Sequence, residues 1–78
     1  MTLRIISPAD IVFEGEAESV TLPGTMGSFT VLPRHAALIS TLVAGKIAYR
    51  TPGGEEQTVD TDGGLVDVDN DVVSVCIY

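Results

Sequence analysis

The sequence predicts a single all-β domain, a sandwich or barrel, and three observations carry that prediction. Val, Ile and Thr supply 24 of the 78 residues, and these β-branched side chains favour a pleated, half-buried surface. The eight glycines and four prolines fall between apolar runs rather than inside them. Turn signals recur every eight to twelve residues or so, the spacing of short strands in a sandwich or barrel.

Taken in order, Leu3 and Ile5 alternate with Thr2 and Arg4 in a first strand that Ser7-Pro8 stops. Ile11-Val12-Phe13 forms a second, expected to break at Gly15. A third strand puts Val20 and Leu22 on one face, and Pro23-Gly24 with Gly27 reverses the chain. Phe29 and Val31 share a face of the next strand, which Pro33 ends. Ala36 to Leu42 has fair helix propensity but is only seven residues long between Pro33 and Gly45, so a strand is expected.

Ile47 and Tyr49 alternate with Lys46, Ala48 and Arg50, and Pro52-Gly53-Gly54 turns the chain into Gln57-Thr58-Val59 as an antiparallel hairpin. Gly63-Gly64 is expected to open a strand with Val66 and Val68 inward; Asp69-Asn70-Asp71 then turns it into a last strand with Val73, Val75 and Ile77 inward. No internal repeat, low-complexity segment or linker interrupts the chain.

A chain of 78 residues with one cysteine is held by a small apolar core and no disulfide. A domain of this size buries only about 60% of its unfolded surface, so its stability is marginal. Mean hydropathy is positive at +0.34, which points to apolar surface covered by a partner. The net charge of −7 repels phosphate backbones and anionic headgroups, disfavouring nucleic acid and direct contact with lipid. No apolar run approaches the roughly 20 residues of a membrane span, and Met-Thr-Leu-Arg-Ile-Ile lacks a signal-peptide pattern. A cytosolic chain with no direct membrane insertion is expected.

Candidate chemistry is sparse. His35 is the single histidine, and neither the carboxylates nor Cys76 lie at zinc-ligand spacing from it. Cys76 alternates with Val75 and Ile77 in an apolar strand and reads as a small structural side chain. Gly27-Ser28-Phe29 is no nucleophile elbow, and one histidine with scattered aspartates is no triad. The runs Asp60 to Gly63 and Asp67 to Asp71 lack the glycine and terminal glutamate of a calcium loop and read as solvated edges and turns. Gly24-Thr25-Met26-Gly27 has no following lysine to hold a phosphate. Its apolar flanks, Met26 and Phe29, suit it to insertion against another protein, although Phe29 fits the core equally well.

The pieces Leu-Pro-Gly-Thr-Met-Gly-Ser-Phe (22–29), Val-Leu-Pro-Arg-His-Ala (31–36) and Leu-Ile-Ser-Thr-Leu (38–42), in this order and spacing, resemble the N-terminal domain of the epsilon subunit of F-type ATP synthases, called delta in mitochondria. The resemblance extends to Gly15-Glu-Ala-Glu-Ser-Val20, Gly45-Lys46-Ile47, Gly63 to Val68 and Asn70 to Val75. Thr30 and Ala37 depart from the family's usual glycine and proline.

The resemblance implies a flattened ten-stranded β-sandwich acting as a non-catalytic rotor part without a cofactor. It would bind the gamma subunit and sit on the c-ring, at the cytoplasmic face of a bacterial inner membrane, coupling ion translocation to ATP synthesis. By residue matching, Met26, Gly27, Ser28, Phe29 and Thr30 would face the c-ring, and Ser7, His35, Ala36 and Ser40 would face gamma. Because the sequence stops at Tyr78 with no amphipathic helical period after the last strand, a form without the inhibitory C-terminal helical hairpin is expected. The alternative is a small acidic biotinyl or lipoyl carrier domain, which requires its modified lysine, here Lys46, at a hairpin tip.

Overall fold

The computed structural model describes all residues from Met1 to Tyr78 and contains seven strands and no helix. These are β1 (Thr2–Ile6), β2 (Ile11–Glu16), β3 (Ser19–Gly24), β4 (Gly27–Val31), β5 (Leu38–Arg50), β6 (Glu56–Asp69) and β7 (Val72–Ile77). They hydrogen-bond in the order β2-β1-β7-β6-β5-β3-β4. All neighbours are antiparallel except β1 and β7, which run parallel.

This continuous ladder folds over itself through its two longest strands. In β5 the inward residues are Leu38, Ser40 and Leu42 before Gly45, but Ile47 and Tyr49 after it. In β6 the inward set changes phase in the same way, from Val59 and Thr61 to Val66 and Val68. Val43 pairs with Gly63 and Gly45 with Thr61, so the two phase changes lie side by side. Beyond them, Gly64 to Asp69 pair with β7, whereas Ala48 to Arg50 pair with β3. The bent ribbon therefore serves both layers, and the molecule is flattened to 27 × 24 × 18 Å.

Local chemistry explains the bend. Pro23 has no N–H to give to β5, and the β3–β5 register slips between Thr21 and Gly24. At the slip β5 carries extra residues, and its Gly45 passes so close to Pro23 that an added Cβ would lie 3.1 Å from the proline Cβ. Across the ribbon Gly63 adopts φ 134°, a region that favours glycine. The Thr61 hydroxyl donates to Gly63 O at 2.7 Å and accepts from Gly63 N at 3.0 Å, satisfying the one buried polar side chain.

The expected strand count is corrected from ten to seven, while the all-β class stands. Gly45 and Gly63-Gly64 do not end strands: β5 and β6 stay paired in one register through them while the buried face of both strands changes, so the alternation fails where the strand does not. Gly15 likewise lies inside β2, where the Phe13 ring covers it, and the strand expected from Ala36 begins at Leu38.

The core is Leu3, Ile5, Val20, Leu22, Val31, Ile47, Val66, Val68, Val73 and Val75, all essentially inaccessible. Phe13 and Tyr49 bridge β2 and β5 with ring centroids 4.4 Å apart. Two turns follow their expected chemistry. Asn70 and Asp71, both with positive φ, form the two-residue β6–β7 connection. At Pro52 to Gly54, Gly54 N donates to Thr51 O and Thr51 N donates to Glu55 O, each at 2.9 Å.

Candidate interaction surface

The β3–β4 hairpin has Thr25 and Met26 as its tip, between Gly24 and Gly27, which pair with each other. A Cβ on Gly24 would lie 2.8 Å from both the Phe29 ring and Gly27 O, so glycine is needed for the ring to lie flat over the turn. Phe29 is thereby half-buried against the core, and of the two apolar flanks only Met26, 99% exposed, is presented outward. Gly27 has φ 120°. Ser28 and Thr30 point away from the core, and the Thr30 hydroxyl lies 2.8 Å from that of Thr21.

This tip is tied down. Thr25 N donates to Thr41 O at 3.1 Å, and the two hydroxyls are 3.0 Å apart. A two-residue tip with a backbone bond to a third strand is short and constrained, and it delivers Met26 at a fixed place beside the outer face of β5.

The second candidate group lies around the connection between β4 and β5. His35 is exposed at the end of a turn in which its N–H donates to Leu32 O at 3.2 Å. The His35 Nδ1 is 2.8 Å from Ala36 O, and Ala36 is exposed beside it. Ser40 stands on the core-directed side of β5 between Leu38 and Leu42, half-buried. Ser7 opens the β1–β2 turn, where its N–H and Oγ both donate to Asp10 O, at 2.9 and 3.2 Å.

The structure thus brings His35 and Ala36 together and leaves Ser7 apart. Ser7 follows Ile6, which pairs with Cys76 at one end of the β1–β7 ladder, whereas His35 lies by the turn before Val72 at the other. Ser7 instead lines a shallow groove of about 460 Å³ with Ile6, Pro8, Leu65, Cys76 and Tyr78. Cys76, read from the sequence as a structural side chain, faces outward and is exposed, because the strand's buried residues are Val73, Val75 and Ile77.

Ile39 and Val43 escaped the sequence reading. Ile39, Val43 and Leu65 are 72%, 45% and 45% exposed on the outer face of β5 and β6. The signal for the first two was available: Val43 follows the buried Leu42 and Ile39 follows the half-buried Leu38 in an alternating strand, so neither can share its neighbour's face. Around them the outer surface carries Asp67 and Asp69, while Arg4 and Lys46 are used in ion pairs with Glu14 at 3.1 Å and Asp60 at 2.9 Å.

No group of three His, Cys, Asp or Glu side chains is placed to hold a metal ion, and no helix is long and apolar enough to cross a membrane. The titration that stands out is that of Tyr49, whose burial pushes the phenol above its ordinary value of 10.0. Lys46 lies within β5, not at a hairpin tip, which removes the placement a carrier domain requires.

Residues 1–77 match the ATP synthase delta/epsilon chain β-sandwich domain. The chain belongs to that family. Among curated relatives it is 43% identical over 74 residues to the ATP synthase epsilon chain of Desulfitobacterium hafniense, covering 95% of this chain and 55% of the relative. It is 44% identical over 69 residues to that of Wolinella succinogenes, covering 88% and 53%. The delta/epsilon sandwich described here therefore spans about half the length of the curated relatives it matches.

Two solved structures share the fold. A chain of the Euglena gracilis mitochondrial ATP synthase, in the cryo-EM structure of OSCP, F1 and c-ring, superposes with a TM-score of 0.90 at 21% identity over 96% of this chain and 48% of that one. A chain of the Tetrahymena thermophila mitochondrial ATP synthase central stalk and c-ring gives 0.85 at 13%, over 99% and 62%.

Proposed function

We propose that this domain is the sandwich of an epsilon-type rotor subunit of an F-type ATP synthase, without catalytic chemistry of its own. In this reading Met26, Gly27, Ser28, Phe29 and Thr30 form the edge that meets the polar loops of the c-ring, with Met26 and Ser28 making the contact and Phe29 supporting them from the core side. His35 and Ala36 face the gamma subunit, with Ser40 below them and Ser7 on a separate contact. The complex lies on the cytoplasmic side of a bacterial inner membrane, and the domain reaches the membrane only through its partners. Its work is to hold gamma and the c-ring in register while ion translocation drives ATP synthesis.

The observation that carries the reading is the tethered β3–β4 tip. A loop that transmits torque must not yield, and this one is short, backed by Phe29 and bonded to Thr41. The acidic surface fits as well, since charge −7 keeps the domain off anionic headgroups while protein contacts hold it nearby. The test is to express the tagged domain in cells of its source and purify it from gently solubilised membranes. Gamma and c subunits are expected to co-purify in fixed proportion; recovery of the domain free of both would overturn the assignment.

A further inference from the structure

Arg34 is one of three non-glycine residues with positive φ, at 64°, and the other two, Asn70 and Asp71, form the turn that reaches it. Arg34 N donates to the Asp71 carboxylate Oδ1 at 2.8 Å across 37 residues of chain. Asp71 is fixed from its own side: its φ is 63°, and its carbonyl accepts the N–H of Thr2 at 3.0 Å. The other carboxylate oxygen lies 3.8 Å from the Met1 amino group.

We propose that Asp71 is a positioning residue for the partner-binding turn Pro33–Ala36, holding Arg34 in its left-handed conformation and so presenting His35 and Ala36 in one orientation. An arginine rarely adopts this conformation unaided, because its Cβ crowds the backbone. Within the turn the only backbone bond that restrains it is the one from His35 N to Leu32 O. The acceptor that fixes Arg34 comes from a hairpin between two core strands, β6 and β7, whose Val68 and Val73 are paired and buried. The surface turn thereby inherits the rigidity of the core. This rests on the reading that His35 faces gamma.

Two variants separate the carboxylate from the turn it sits in. Asp71→Gly keeps access to positive φ and removes the acceptor; Asp71→Asn keeps a side-chain oxygen and the left-handed preference. Asn70→Gly is the control that leaves the carboxylate in place. Amide exchange measured by NMR on the isolated domain is expected to speed up at Arg34 by about fivefold or more in Asp71→Gly. Asp71→Asn and Asn70→Gly should stay near the wild type, and the amides of Val73 and Val75 should be unchanged in all three. Binding of gamma should weaken in Asp71→Gly and recover in Asp71→Asn. Unchanged Arg34 exchange in Asp71→Gly overturns the proposal whatever gamma does. Faster exchange with undiminished gamma binding overturns the reading of the His35 face, while the hold of Asp71 on the turn is kept.

Discussion

Gly64 is the position where the backbone leaves least room, and Gly64→Ala should be among the most damaging single-methyl changes in the molecule. An added Cβ would lie 2.2 Å from the Cys76 carbonyl oxygen, 3.0 Å from Ile77 Cα and 3.1 Å from the Cys76 carbonyl carbon. All three are backbone atoms of β7, so no rotamer change relieves the contact. Restoring ordinary separation moves β6 from β7 by about 1 Å, against a normal strand spacing of about 4.8 Å. Overpacking of this kind costs about 3 kcal/mol or more. The stabilisation that alanine brings by restricting the unfolded chain, about 0.4–1 kcal/mol, is too small to offset it.

For a domain of this size each kcal/mol lowers Tm by about 4–8 °C, so a fall of roughly 10–20 °C is expected. Gly53→Ala is the internal control, since nothing lies within 4 Å of its Cβ, and it should fall within about 0.5 kcal/mol of the wild type. Urea and thermal unfolding followed by circular dichroism measure both. A Gly64→Ala midpoint indistinguishable from that of Gly53→Ala would refute the close β6–β7 approach.

Other consequences follow from particular side chains. Val75→Ala removes two methyls from a wholly buried site and should cost roughly 1–3 kcal/mol in urea titration. Because burial raises the Tyr49 pKa above 10.0, the folded state holds that proton more tightly than the unfolded one. Stability from this group is complete below pH 10 and is lost as pH climbs through the raised value; Tyr49→Phe should flatten that alkaline decline. Ser28→Lys, on an exposed position, should change the stability of the isolated domain by under about 0.5 kcal/mol while weakening the coupling of ATP synthesis to ion flow in the assembled enzyme.

Most of the fold was legible because alternation is a local signal. Leu3 and Ile5, Val20 and Leu22, Val73 and Val75 all face inward as their spacing requires, and the Asn70-Asp71 turn follows from residues that tolerate positive φ. The two long strands were not legible, because the positions that explain their change of face, Pro23 against Gly45 and Val43 paired with Gly63, lie far apart in sequence. At the candidate surface, Met26 and His35 emerged exposed. The constraints that fix them, Thr25 to Thr41 and Arg34 to Asp71, join distant segments through one or two hydrogen bonds each and leave no periodic trace.

Site-directed cross-linking in the assembled enzyme tests the central claim most directly. In a Cys76→Ser background, needed because Cys76 is exposed, Ser28→Cys and His35→Cys place one thiol on each proposed contact. Ser28→Cys is expected to capture a c subunit and His35→Cys to capture gamma. Both thiols reaching the same subunit, or both remaining open to a bulky thiol reagent in the intact complex, would contradict it.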